Sequence, residues 1–363
     1  MLSAETRLRA LRRELYRRFP VRPRIYAVDL AASVAAAWAA GVLATRLPLG
    51  WALPAVVAGA LATYRAAYFV HEIAHVRRAL PGFEPAWNLT VGAFVAMPSY
   101  MVMAHVDHHR LDTYGTALDP EYEPVAGWGR ARLLASVAVM PLVPPLLAVR
   151  ALLLVPASWL WPAWRRVLHA RLSTLQTNPL YVRSLSTLRG PSVVMQEVLA
   201  TVVVAGALAL LVTGALPWRA ALVWWAMTGL ALTVNQVRTL FAHAYDGGGS
   251  SMSLAAQVAD STTVDGGWLA ALTHPVGTRF HALHHLAPSL PYHALGAAHR
   301  WLLAARAPAA YGRTARSGFT DGCRRLWARA AARDRAAWRH DQRPEGDRRT
   351  WTPGRAPGVH PDV

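Results

Sequence analysis

Three short words in the sequence carry its most reactive side chains. His71-Glu-Ile-Ala-His75, His105-Val-Asp-His-His109 and His281-Ala-Leu-His-His285 gather eight of the fifteen histidines. On a helix, residues three and four apart share a face, so each word presents its imidazoles in one direction. Neutral imidazole is a good ligand for iron, copper, zinc and nickel. At this histidine content the H-x-x-H-H pattern is expected about 0.03 times by chance, and it occurs twice. His243 stands alone beyond an apolar run and brings the candidate ligands to nine: His71, His75, His105, His108, His109, His243, His281, His284 and His285. A tetrahedral zinc takes about four ligands, so this set suits two metals with positions left open for a small molecule. Carboxylates commonly hold the second ring nitrogen of a metal-bound histidine, and Glu72, Asp107, Asp112 and Asp119 lie near the words. Each of these acids has an interfacial ion pair to arginine as its plain alternative. His274, His293 and His299 read as structural, and His169, His340 and His360, in basic segments, as solvated.

The single cysteine, Cys323, excludes an intrachain disulfide, a thiolate zinc site and an iron–sulfur cluster. Any metal must be held by His, Asp or Glu.

The elements that position these words must be membrane helices. Hydrophobic residues make up 54% of the chain, yet its formal charge is +18. Both hold because arginine crowds the two ends and long uncharged runs fill the middle. Every basic residue is arginine, which coding bias in a GC-rich genome explains. Because the arginines flank apolar runs, the basic balance reads as membrane orientation and not as nucleic-acid binding. Spans are expected at about 28–44, 51–70, 198–216 and 220–235, paired into hairpins by tight turns at Arg46–Gly50 and Gly214–Pro217. The first run is of span length and follows an Arg-rich segment, unlike a cleaved signal peptide. Residues 86–104, with Asn88, Gly92 and Pro98, read as re-entrant or interfacial. Residues 132–161 carry Arg150 and four prolines and read as interfacial helices, with a second full hairpin as the alternative. The fold expected is all-α and integral to the membrane, with four transmembrane helices as two hairpins and a cytoplasmic histidine-rich cap. Its parts are a basic amphipathic arm on the inner membrane surface (1–25), the membrane domain (26–305) and an Arg-rich, partly disordered tail (306–363). Arg-rich ends on the cytoplasmic side of an inner membrane place the histidine words there too.

The order H-x-x-x-H, H-x-x-H-H, H-x-x-H-H resembles the membrane fatty acid desaturase and hydroxylase superfamily. The likeness extends to His105-Val-Asp-His-His-Arg110, to Asn235-Gln-Val-Arg-Thr-Leu-Phe-Ala-His243, and to the run from His281 to Tyr292. It implies a desaturase-like domain, two irons, dioxygen chemistry on a fatty acyl or other lipid chain, and the box histidines with His243 as ligands. It adds Asn235 to Glu72 and Asp107 as residues that could stand behind the ligands. Introduction of a double bond is the leading expectation, and lipid hydroxylation by the same ligand set the alternative. No fused electron carrier is visible; His274-Pro-Val-Gly277 lacks the second glycine of a haem-binding H-P-G-G. The electrons must come from a separate donor such as ferredoxin with its reductase, which an Arg-rich cap could dock. No oligomeric state follows from the sequence.

Two other readings compete. His71-Glu-Ile-Ala-His75 fits the H-E-x-x-H zinc peptidase motif with Glu72 as general base, but that leaves both H-x-x-H-H words unexplained. A transporter would hold its site near the bilayer midplane, whereas these histidines sit at span ends.

Overall fold

The computed structural model describes residues 3–341 apart from 176, 179, 180, 189, 265, 306–308 and 317. The Pro-, Gly- and charge-rich end expected to be disordered, 342–363, lies outside the described residues.

Helix α1 (Ala4–Arg18) starts on Ser3, whose hydroxyl accepts the Thr6 N–H. Its Leu8 and Leu15 are buried in the main core with Leu254 and Val258. The apolar stripe of the arm thus lies against protein. Helices α2 (Pro23–Arg46) and α3 (Leu49–Val76) form the first hairpin, turning at Leu47 and Pro48. Close packing against a later helix requires glycine here. A Cβ at Gly59 would lie 2.7 Å from the Met227 methyl and 3.1 Å from Ala40. After a one-turn helix, α4 (His105–His108), comes an apolar helical run, α5 (Arg130–Leu160). Helices α6 (Pro191–Val212) and α7 (Trp218–Leu240) form the second hairpin. Helices α8 (Leu254–Asp260), α9 (His281–Leu286) and α10 (Phe319–Asp341) complete the cap. The strands found are two-residue pieces, Thr263–Val264 and Ala315–Arg316, paired in parallel.

Among the described residues, five helical runs are long and apolar enough to cross a membrane. Four coincide with the expected spans, and the fifth is α5, which the sequence suggested would break into interfacial pieces. Its prolines do not break it, because they fall where little is lost. Pro141, Pro144 and Pro156 each occupy one of the first two positions of a helical segment, where no intrahelical N–H bond is needed. Arg150 sits in a π-helical turn and is satisfied inside the protein: its Nε donates to the Leu172 carbonyl at 2.7 Å and its Nη2 to Tyr100 Oη at 2.8 Å. Residues 83–102, by contrast, fold into short α, π and 3-10 pieces, none of span length. Asn88 ties them together, accepting the Ser99 N–H at 2.8 Å and donating to Ser99 Oγ at 2.9 Å.

Large apolar side chains such as Val28, Trp38, Trp51, Val202, Val212 and Trp218 are exposed on these helices, the surface a lipid environment requires. Arg219 donates to the Ala44 and Leu47 carbonyls and so joins the two hairpin turns at one end. At the other end α3 closes on His71 and His75, and α7 runs out just before His243. The cap is tied to the first hairpin by Tyr292, whose hydroxyl donates to Asp29 at 2.7 Å beside the Asp29–Arg65 pair.

Candidate metal centre

The last turn of α3 presents His71 and His75, α4 with the residue after it presents His105, His108 and His109, and α9 presents His281, His284 and His285. His243 lies on an extended segment stitched to the end of α8: Ala244 N–H donates to the Asp260 carbonyl and Thr262 N–H to the Ala242 carbonyl. These elements bring all nine histidines into two adjacent groups. One holds His71, His75, His105, His109 and His284; the other holds His108, His243, His281 and His285. Within each group one ring nitrogen per residue lies within 4.8 Å of all the others.

Hydrogen bonds behind the rings decide which nitrogen faces inward. His108 Nδ1 lies 2.9 and 3.0 Å from the two oxygens of Asp119, which can only accept, so Nδ1 carries the proton. Asp119 is itself fixed by the Gly115 and Glu121 N–H groups. His105 Nδ1 donates to Glu121 Oε1 at 2.7 Å. Tyr114 has one hydroxyl proton, which goes to Asp260 Oδ2 at 2.8 Å; the same hydroxyl oxygen lies 2.8 Å from His243 Nδ1, which must then be the donor. The Nε2 atoms of His105, His108 and His243 are thereby left with lone pairs.

Those lone pairs point at other imidazoles. His108 Nε2 and His243 Nε2 are 3.1 Å apart, and His243 Nε2 is 3.0 Å from His281 Nε2. In the first group His109 Nε2 lies 2.9 Å from His105 Nε2 and 3.0 Å from His284 Nε2. Facing lone pairs this close are accounted for by a shared cation, since nitrogens about 2.0–2.1 Å from one metal at right angles sit about 3 Å apart. Burial and then the neighbouring imidazoles hold His109, His243, His281, His284 and His285 well below the usual histidine range, in the neutral form that ligates. Burial pulls His108 the same way, but Asp119 overrides it and lifts His108 above the usual range. The Nδ1 atoms of His109, His281 and His285, and Nε2 of His75, are buried without a partner among the described residues. The donor set is all-imidazole, divided five and four, and it suits two irons.

Of the residues expected behind the ligands, Asp119 braces a ring and Glu72, Asp107, Asp112 and Asn235 bond elsewhere. Glu72 Oε2 accepts from Tyr26 Oη at 2.5 Å and from the Tyr292 N–H at 3.1 Å, while its nearest approach to His71 is 3.8 Å. That geometry also removes the peptidase's general base. Asp107 accepts from Tyr181 at 2.7 Å. Asn235 accepts from Arg238 at 3.2 Å and lines the cavity beside the histidines. Asp112 pairs with Arg110 at the surface. The braces are Asp119, Glu121 and the Tyr114–Asp260 pair, of which only Asp119 was visible as an acid near a histidine word. His169 is not solvated: it is buried with Nε2 2.8 Å from Glu197. His274 and His299 are also buried, held by Thr273 and Tyr311, and His293 accepts the Arg22 N–H. The side chain of His340, and all of His360, lie outside the described residues.

A cavity of about 360 Å³ opens against His71, His105, His243 and His281, and so reaches both groups. Its wall near the histidines carries Tyr64, Asn235 and Arg238, and its other walls are mostly apolar. A second cavity of about 440 Å³, lined by α2, α7 and residues 90–95, shares Thr63, Val95 and Thr228 with the first.

The family model for fatty acid desaturases matches residues 49–317, which takes in every one of these histidines. The chain belongs to the fatty acid desaturase family. Within that family it is 37% identical over 318 residues to a ceramide hydroxylase of Caulobacter vibrioides (strain NA1000 / CB15N), covering 86% of this chain and 91% of that protein. No solved structure matches. This family member is accordingly an integral membrane oxidoreductase of the lipid desaturase and hydroxylase type.

Proposed function

We propose that this chain is a dioxygen-dependent lipid hydroxylase and that its substrate is a ceramide-type N-acyl lipid. The observation that carries the reading is the likeness to a ceramide hydroxylase along 86% of the chain. The cavities support it: a partly polar chamber at the histidines suits a head group, and the apolar cavity that adjoins it suits an alkyl chain. His71, His75, His105, His109 and His284 would hold one iron, and His108, His243, His281 and His285 the other. When bound, the irons supply activation of dioxygen toward an unactivated methylene. Overall, one oxygen atom enters a C–H bond and the other leaves as water, with two electrons and two protons supplied from outside.

This chain's own residues do the rest. Asp119, Glu121 and Tyr114 fix the rings so that Nε2 faces inward. The buried walls exclude water. The donor of electrons is a ferredoxin-type carrier in this reading, attracted by the arginines of the cap. In this reading the arginines that flank the spans favour a centre on the cytoplasmic side of a bacterial inner membrane. The test is the lipid profile of a host expressing the chain beside one expressing His284→Ala. A ceramide-type lipid that gains one oxygen, and only with the unaltered chain, supports hydroxylation. Loss of two hydrogens in its place would restore the desaturase reading, and an unchanged profile would sink both.

A further inference from the structure

Arg238 lies in the last turn of α7, five residues before His243, and lines the chamber at the histidines. It is 6% exposed and makes no ion pair among the described residues. Its Nη2 donates to Asn235 Oδ1 at 3.2 Å and to Thr239 Oγ1 at 2.9 Å. Nε is buried with no acceptor. Part of the charge is met by the Tyr68 ring, whose centroid lies 5.0 Å from the guanidinium carbon, and by the carbonyl end of α7. Neither satisfies the Nε–H. A buried donor left without an acceptor is costly, and an ionisable residue within a membrane helix is rarely there without a role. The guanidinium is a planar set of five N–H donors, and with Nη2 engaged those left to meet a carboxylate or carbonyl oxygen are on Nε and Nη1.

We propose that Arg238 is the head-group anchor of the substrate: its unmet N–H donors receive a lipid oxygen and thereby set which methylene lies against the two histidine groups. The ligand chemistry is a strong oxygen acceptor attached to an alkyl chain. An amide carbonyl, as in an N-acyl lipid, and the carboxylate of a free fatty acid share that chemistry. Asn235 and Thr239 hold Nη2 and keep the guanidinium from rotating. Arg238 is a positioning residue here, and this inference rests on the lipid-hydroxylase reading only for its choice of the amide.

The test is equilibrium binding to the full chain in lipid nanodiscs, with bound iron measured on the same samples. The probes are a radiolabelled short-chain ceramide, the matching free fatty acid and an N-alkyl analogue of the ceramide that keeps both chains but lacks the carbonyl. The unaltered chain should bind ceramide about 10- to 100-fold more tightly than the analogue, the range of a charged hydrogen bond. Arg238→Met should erase that preference with iron content unchanged, and Arg238→Lys, which keeps the charge but not the guanidinium, should keep only part of it. A preference for the fatty acid over ceramide, lost in Arg238→Met, would keep the anchor and overturn the ceramide reading. An unaltered chain that does not discriminate the analogue, or a preference that survives Arg238→Met, would overturn the anchor. So would loss of iron in step with loss of binding in both variants, since that marks a structural arginine.

Discussion

The two histidine groups sit side by side but are held differently. In the group of His108, His243, His281 and His285 every member is buried. Two of its rings are locked from behind, one by the fully buried Asp119 and one by Tyr114 and Asp260. In the group of His71, His75, His105, His109 and His284, His75 and His109 are only partly buried. Its one carboxylate brace, Glu121, leaves 27% of its side chain exposed. A ligand set fixed by buried acids has little freedom to rearrange, whereas a set with partly open members can exchange ligands or let small molecules through. In the di-iron reading, the contrast would assign retention of metal to the braced group and access to the open one.

Removal of a ring from the braced group should have the largest effect. His243→Ala is expected to abolish turnover and to take iron from about two per chain to about one, by metal analysis of purified protein. Full iron with normal turnover would end the comparison. Next come the braces. Asp119→Asn should weaken metal affinity about 10- to 100-fold, and Glu121→Gln by the lower end of that range. Competition with a chelator of known affinity measures both, and equal losses would show that burial of the brace does not matter. Chelation of the unaltered protein should proceed in two phases, the open group emptying first; Asp119→Asn should merge them, whereas a single phase in the unaltered protein would contradict the asymmetry. The smallest effect belongs to Tyr114→Phe, which leaves the His243 Nδ1–H without its acceptor. A destabilisation of about 1–3 kcal/mol is expected in the metal-free protein, seen as a lower thermal midpoint. An unmoved midpoint would mean that Asp260 takes the proton directly.

The histidine constellation was legible because its spacing is local: i, i+3 and i+4 on a helix is readable without a structure. The hairpins were legible because membrane spans are written as long apolar runs. Apart from Asp119, the braces were not, because Glu121, Tyr114 and Asp260 reach the rings from loops or from a distant helix. Adjacency in sequence misled in the opposite sense. Glu72 and Asp107 follow a histidine by one and two residues, positions that on a helix point to other faces, and they bond Tyr26 and Tyr181 instead. In the run 130–160 three of the prolines fall at the starts of helical segments and Arg150 meets a carbonyl and a hydroxyl, features that composition alone does not reveal. His169 misled because its arginine neighbours hid a distant partner, Glu197.

The pairing of Asp29 with Arg65 bears on how the chain enters its membrane. Each charge lies in a different span of the first hairpin. Presented singly to the apolar part of the bilayer, either would be costly, though less so than the cost of about 2.5–3.5 kcal/mol at the bilayer centre, because both lie toward the cap end. Leaving the translocon together, with the turn at Leu47 and Pro48 already formed, they would enter as a neutral pair. Insertion of the hairpin as one unit is therefore expected over threading helix by helix. A charge reversal at Asp29 should appear as failed insertion during synthesis, before any defect in iron loading can be measured.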